Sequence, residues 1–112
     1  MKIKLTLSKD TVITVYNMLN QLYNLPVSNV QRENIYKSIG FDLADKFESK
    51  AKELKKNSNL LNQKNKVEMT LKFYQAWALH EIIHELLEIV ILDHYQENQI
   101  SILLQKLHPQ II

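Results

Sequence analysis

Residues 66–72 read Lys66-Val67-Glu68-Met69-Thr70-Leu71-Lys72, and the assignment of this stretch decides the fold. Val67, Met69 and Leu71 alternate with Lys66, Glu68 and Thr70, a period of two with one apolar face, which is the signature of a half-buried strand. The same residues admit a helix. Asn65 and Glu68 have the N-x-x-E spacing of a capping box. A helix opened there runs through Leu92 with Met69, Phe73, Ala76, Trp77, His80, Ile83 and Leu87 along one stripe. The first assignment leads to a mixed fold, the second to an all-α four-helix bundle.

The N-terminus favours the strand. Shifted by 64 positions the chain lies over itself without a gap, so that Lys2-Ile3-Lys4-Leu5-Thr6-Leu7 falls on Lys66-Val67-Glu68-Met69-Thr70-Leu71. Val15, Met18, Leu19 and Leu22 fall on Leu79, Ile82, Ile83 and Leu86, and Leu43 on Leu107. Seven of 48 aligned positions are identical, so the pattern carries the match rather than the identities. Ile3, Leu5 and Leu7 alternate as their counterparts do. A lone strand would leave its backbone groups unsatisfied, so the two strands are expected to pair, antiparallel, with Lys4 near Glu68.

Four helices follow from the apolar spacing. The first starts at an N-cap Ser8 and runs to about residue 24 on Val12, Val15, Tyr16, Leu19, Leu22 and Tyr23, and Pro26 breaks it. Ser28 and Gln31 suit a capping box for the second, which runs to about Lys56 on Tyr36, Ile39, Leu43, Phe47 and Leu54. Gly40, the only glycine, lies inside it and marks a kink or a close helix crossing. Residues 57–65 read as an exposed loop. The third helix covers about 73–92, and the fourth about 96–107, stopped by Pro109. The expected fold is α+β, predominantly helical, β-α-α-β-α-α, with a small two-stranded sheet. It forms a single domain over 1–112 with half-repeats 1–56 and 66–112 related by a pseudo-twofold.

Composition narrows the function. The chain has no cysteine, which removes disulfides, thiolate catalysis and Cys-ligated metals. One glycine leaves no phosphate-cradling loop. No serine sits in a nucleophile context. No apolar run approaches the ~20 residues of a membrane span, and the N-terminus has no signal-peptide core, so the expected location is the cytoplasm.

Charge is unevenly placed. Residues 1–72 carry 13 basic and 7 acidic side chains, residues 73–112 one basic and five acidic. The basic excess is sharpest from Lys46 to Lys66, and Lys46, Lys50, Lys52, Lys55 and Lys56 are its candidate partner-binding residues. Such a run suits an acidic partner, or the phosphates of a nucleic acid, a reading tested by salt-dependent retention on a phosphate matrix. The single arginine, and a run whose one aromatic, Phe47, belongs to the apolar stripe of its helix, argue against specific nucleic-acid recognition. Glu81, Glu85 and Glu88 form an acidic helix face, expected on a different surface from the lysines.

One motif carries sharp chemistry. His80-Glu81-Ile82-Ile83-His84 has the HExxH pattern, whose two histidines share a helix face and can hold one zinc ion while the glutamate activates a bound water. Over these five residues the chain resembles the zincin metallopeptidases, and the resemblance implies Glu81 as catalytic base and His80 and His84 as metal ligands. Glu85 departs from the family, where an uncharged residue follows the second histidine. Glu88 lies ~12 Å along the helix from His80, too far to share an ion with it. His108 is the candidate third ligand if the last two helices pack antiparallel, although it adjoins Pro109 near the chain end. The plainer role for His80 and His84 is that of amphipathic residues at the border of an apolar stripe, and the expectation is no stoichiometric zinc, no cofactor and no catalysis. Tyr74 and Trp77 are expected in the core.

The expected function is therefore a small non-enzymatic interaction module, binding a protein partner or itself as a homo-oligomer, with no membrane and no small-molecule substrate. An accessory or inhibitor protein of a phage or mobile element has this character. The alternatives are a nucleic-acid-associated accessory protein using the Lys46–Lys66 run, and an HExxH zinc-dependent hydrolase.

Overall fold

Two short strands, β1 (Lys2–Ser8) and β2 (Lys66–Lys72), pair antiparallel in the computed structural model, which describes residues 1–56 and 66–112. Four helices complete it: α1 (Lys9–Leu19), prolonged by a 3-10 segment over Asn20–Asn24, then α2 (Gln31–Lys56), α3 (Phe73–Leu87) and α4 (His94–Ile111). The order is β-α-α-β-α-α, a predominantly helical α+β fold. The helix proposed from Asn65 and Glu68 is absent, and with it the all-α bundle. The expected loop at 57–65 lies outside the described residues.

The pairing follows from the alternation. Ile3, Leu5, Leu7, Val67, Met69 and Leu71 are all buried against the helices, and Lys2, Lys4, Thr6, Lys66, Glu68 and Thr70 face outward. The register sets Leu5 opposite Met69, Ile3 opposite Leu71 and Leu7 opposite Val67. With the 64-residue offset, Leu5 pairs with its own counterpart, and Ile3 pairs with the counterpart of Leu7. A twofold between the halves requires this register, with its axis at the Leu5–Met69 pair. The outward pairs are Lys4 with Thr70 and Thr6 with Glu68, so Lys4 meets Glu68 only on the diagonal.

The offset also relates the elements. Adding 64 to β1 gives 66–72, the bounds of β2, and adding it to Lys9 gives Phe73, the first residue of α3. Val12, Val15, Met18, Leu19 and Leu22 are buried, as are Ala76, Leu79, Ile82, Ile83 and Leu86. α2 packs on α1 and α3, and α4 packs on α3 and α1. A buried hydrogen bond, Thr11 Oγ1 to Gln99 Oε1 at 2.7 Å, ties α1 to α4.

Both sheet edges are covered by side chains from the second helix of each half. Lys46 Nζ donates to the Thr70 carbonyl at 2.6 Å, Gln110 Nε2 to the Lys4 carbonyl at 2.9 Å, and Lys106 to the Thr6 carbonyl. Positions 46 and 110 are again 64 apart. Covering these backbone groups blunts the edges against pairing with another chain.

Gly40 marks a close crossing. A Cβ there would come within 2.3 Å of Leu22 Cδ1 and 3.1 Å of Ile82 Cδ1, so its lack of a side chain lets α2 approach both neighbours.

Several boundaries depart from the sequence-based expectation. Ser28 hydrogen-bonds Glu33 rather than closing a box on Gln31, and Asn34 brackets its backbone N–H and carbonyl. α3 ends at Leu87 instead of Leu92: the N–H groups of Glu88 and Ile89 bond three residues back, to the Glu85 and Leu86 carbonyls, so the ladder tightens and closes there. A reciprocal capping box, Asp93 with Gln96, then opens α4. Pro109 does not stop α4: the lost hydrogen bond falls in the last turn, which buried Ile111 and the Gln110 contact hold against β1. Tyr74 and Trp77 lie at the surface rather than in the core.

Candidate functional site

Three lysines of the run make contacts within the molecule. Lys46 is bound to the sheet edge, Lys52 pairs with Glu48 at 2.8 Å and Lys50 with Glu53 at 3.5 Å, while Lys55 is exposed. These pairs follow from helical spacing, which sets residues three and four apart side by side. The Glu48 carboxyl is held below the usual carboxylate range by the hydrogen bond and charge of Lys52. Lys56 ends α2, and the run beyond it lies outside the described residues. The charges that act on Glu85 are Glu33, Glu81, Glu88 and Arg32, none of them from the lysine run; burial, then the three carboxylates, raises its carboxyl.

The HExxH residues form a cluster. His80 and His84, one turn apart on α3, approach Nε2 to Nε2 at 3.3 Å. The antiparallel return of α4 brings His108 beside them, its ring stacked on His80 with centroids 5.3 Å apart and 24° between planes. Three of the four histidines are thus together, and His94 is apart from them, 4.0 Å from Glu97. The His80 side chain is 15% exposed; His84 and His108 are exposed. His80 Nδ1 is buried without a hydrogen-bond partner, with the Glu81 carboxylate 3.8 Å away. Burial, and then the facing His84, hold His80 below the usual histidine range, with Glu81 opposing and His108 adding to the shift. Glu81 approaches the ring from its Nδ1 side, whereas the two histidines meet through Nε2. Among the described residues, no group of three or more His, Asp or Glu side chains is placed to hold a metal ion.

A third region went unnoticed in the sequence. The connections after α1 and α3 are apolar at matching positions: Leu25-Pro26-Val27 and, 64 residues on, Ile89-Val90-Ile91. Leu25 of the first meets all three residues of the second, and Leu25, Ile89, Val90 and Ile91 line a shallow groove of about 350 Å³ with Leu86, Gln21 and Asn24. Val90 and Leu92 turn partly inward while Ile89 and Ile91 turn out. Val27 is 82% exposed, Ile91 97% and Ile89 59%. The signal was available in the self-match at 25–27 and 89–91, but an overlong third helix absorbed 89–92.

On the α2–α3 face, Tyr36 Oη accepts hydrogen bonds from Trp77 Nε1 at 3.3 Å and Arg32 Nη2 at 3.4 Å. These two donors, Arg32 first, lower the Tyr36 phenol from its ordinary value. Trp, Tyr and Arg are the residues that most often anchor protein interfaces.

No protein-family model matches the chain, and searches of curated proteins and of solved structures return no significant match.

Proposed function

We propose that the chain is a small interaction module whose apolar end, built from residues 25–27 and 89–91, docks on another protein or on a second copy of itself. The observation that carries this reading is the exposure of Ile89 and Ile91 beside Leu25 in one groove, with Val27, also exposed, two residues on from Leu25. Scattered apolar residues are ordinary on a surface, but a contiguous group of branched aliphatic side chains loses free energy in water and gains it on burial, ~25 cal/mol for each Å2 covered. The groove is neutral at its centre, with Gln21 and Asn24 as its polar rim, which is the composition of an interface core. Among the described residues no helix is long and apolar enough to cross a membrane, and the reading places the module in the cytoplasm.

Lys46 is bound to the sheet edge and the charges of Lys50 and Lys52 are offset in part by Glu53 and Glu48, which favours the apolar end over the lysine run as the docking surface. A double change, Val27→Glu with Ile91→Glu, tests the assignment. Both side chains are exposed, so the variant keeps its circular dichroism and melting temperature, and it loses concentration-dependent sedimentation or capture of the partner. A folded variant that associates as the parent does would overturn the assignment.

A further inference from the structure

We propose that the outward face of the two-stranded sheet is a second binding surface and enters the major groove of duplex DNA. The inference does not rest on the docking role of residues 25–27 and 89–91. Lys2, Lys4, Lys66 and Lys72 are exposed on this face, with Thr6 and Thr70 between them and Glu68 as its one carboxylate. Among the described residues no ion pair engages any of these lysines. Lys2 stands directly opposite Lys72, a like-charge pair that destabilises the sheet unless an anion lies over it. Lys46 and Lys106 bring further ammonium groups to the sheet edges, at the Thr70 and Thr6 carbonyls. A polyanion is the complement of such a face.

Composition, shape and symmetry select the duplex. The apolar side chains of both strands are buried, so none lies on the outward face. A protein partner would find no apolar centre there, and a single strand no aromatic ring on which to stack its bases. Two strands ~4.8 Å apart form a narrow ribbon. The major groove of B-DNA, ~12 Å wide and ~8.5 Å deep, admits such a ribbon, whereas that of duplex RNA is too narrow for side chains to read. The twofold between the halves passes through the Leu5–Met69 pair at the centre of the ribbon, and a protein twofold can coincide with a dyad of the duplex. Lys2 and Lys66 are equivalent about this axis, as are Thr6 and Thr70. Lys4 and Glu68 are equivalent in place and opposite in charge. Lysine donates to guanine O6 and N7 and glutamate accepts from cytosine N4, so the ribbon reads two unlike half-sites.

The test titrates a fluorescent, mixed-sequence DNA duplex with untagged full-length protein and follows anisotropy over a series of salt concentrations. Binding should weaken steeply as salt rises, because each neutralised phosphate releases counterions. Lys2→Ala with Lys72→Ala should weaken binding at low salt by about 10-fold and reduce the salt slope by about 2, one for each ammonium lost. Both positions are exposed and the change relieves their repulsion, so the melting temperature should not fall. Lys50→Ala with Lys52→Ala removes the same charge from α2 and should leave affinity and slope nearly unchanged. The duplex should also be preferred over the single strand, the corresponding duplex RNA and phosphatidylserine vesicles. Absence of binding at low salt, an equal loss in the two double variants, or equal or tighter binding of any of those three competitors would overturn the proposal.

Discussion

The two halves of the molecule share a frame and differ in chemistry. Residues 2–24 and 66–88 form a strand and a helical segment with coincident starts and buried residues at matching positions. Yet the counterparts of His80, His84 and His108 in the first half are Tyr16, Asn20 and Ala44, none of which supplies an imidazole. The positions that agree are those that hold the sheet and the first helix of each half together, whereas the second helices diverge: Gly40 and buried Ala44 of α2 correspond to Leu104 and exposed His108 of α4. Packing constrains the former through volume and register, while surface positions are free to acquire chemistry.

Breaking the strand pair at its centre should give the largest effect. Leu5→Ala and Met69→Ala remove fully buried side chains that face each other. Each should cost about 2–5 kcal/mol in denaturant unfolding, and the double variant should depart from additivity because the two sites touch. A cost below about 1 kcal/mol at either position would show that the pair is not the shared centre of the two halves.

The link between halves at Thr11 comes next. Thr11→Val leaves Gln99 Oε1 buried without its donor, for a loss of about 1–3 kcal/mol, read from the same unfolding curves.

Gly40 sharpens the comparison through a sign. Helix propensity alone makes Gly40→Ala stabilising by about 1 kcal/mol. The close approach of Leu22 and Ile82 makes it destabilising, because overpacking costs about 1–3 kcal/mol and exceeds the gain. At the counterpart, Leu104, the helix has room for a large side chain. A raised melting temperature in Gly40→Ala would contradict the close crossing.

The smallest effect is expected on the lysine face. Reversing Lys50, Lys52 and Lys55 to Glu removes two exposed ion pairs and should leave the melting temperature nearly unchanged, since such pairs are screened by water and salt. Unfolding of this variant would mean that the run holds the fold together.

The strands were legible because alternation over six residues appears twice, and the repetition at 2–7 favoured the strand over the helix that Asn65 and Glu68 allowed. The close crossing was legible from one glycine in a helix. The ends of α3 and α4 were not, because they are decided by distant contacts: Pro109 is tolerated through Ile111 and Gln110 packing on β1, and α3 stops where Val90 and Leu92 turn inward. The histidine cluster was legible in part. Spacing set His80 beside His84, and the antiparallel return of α4 made His108 a candidate, but the distances belong to the packing of the two helices. The apolar end was hidden because isoleucine and valine after a helix read as more helix.

The central claim is that the molecule meets its partner through residues 25–27 and 89–91. Because the chain lacks cysteine, one can be introduced at Ile91 or, as a distant exposed control on α2, at Ser49, and each labelled with a photo-crosslinker. The account predicts a discrete protein adduct, a second copy or another chain, from position 91 and not from 49. Excess wild-type protein should suppress it, and excess Val27→Glu, Ile91→Glu protein should not. Equal adducts from both positions, or equal competition by both proteins, would contradict it.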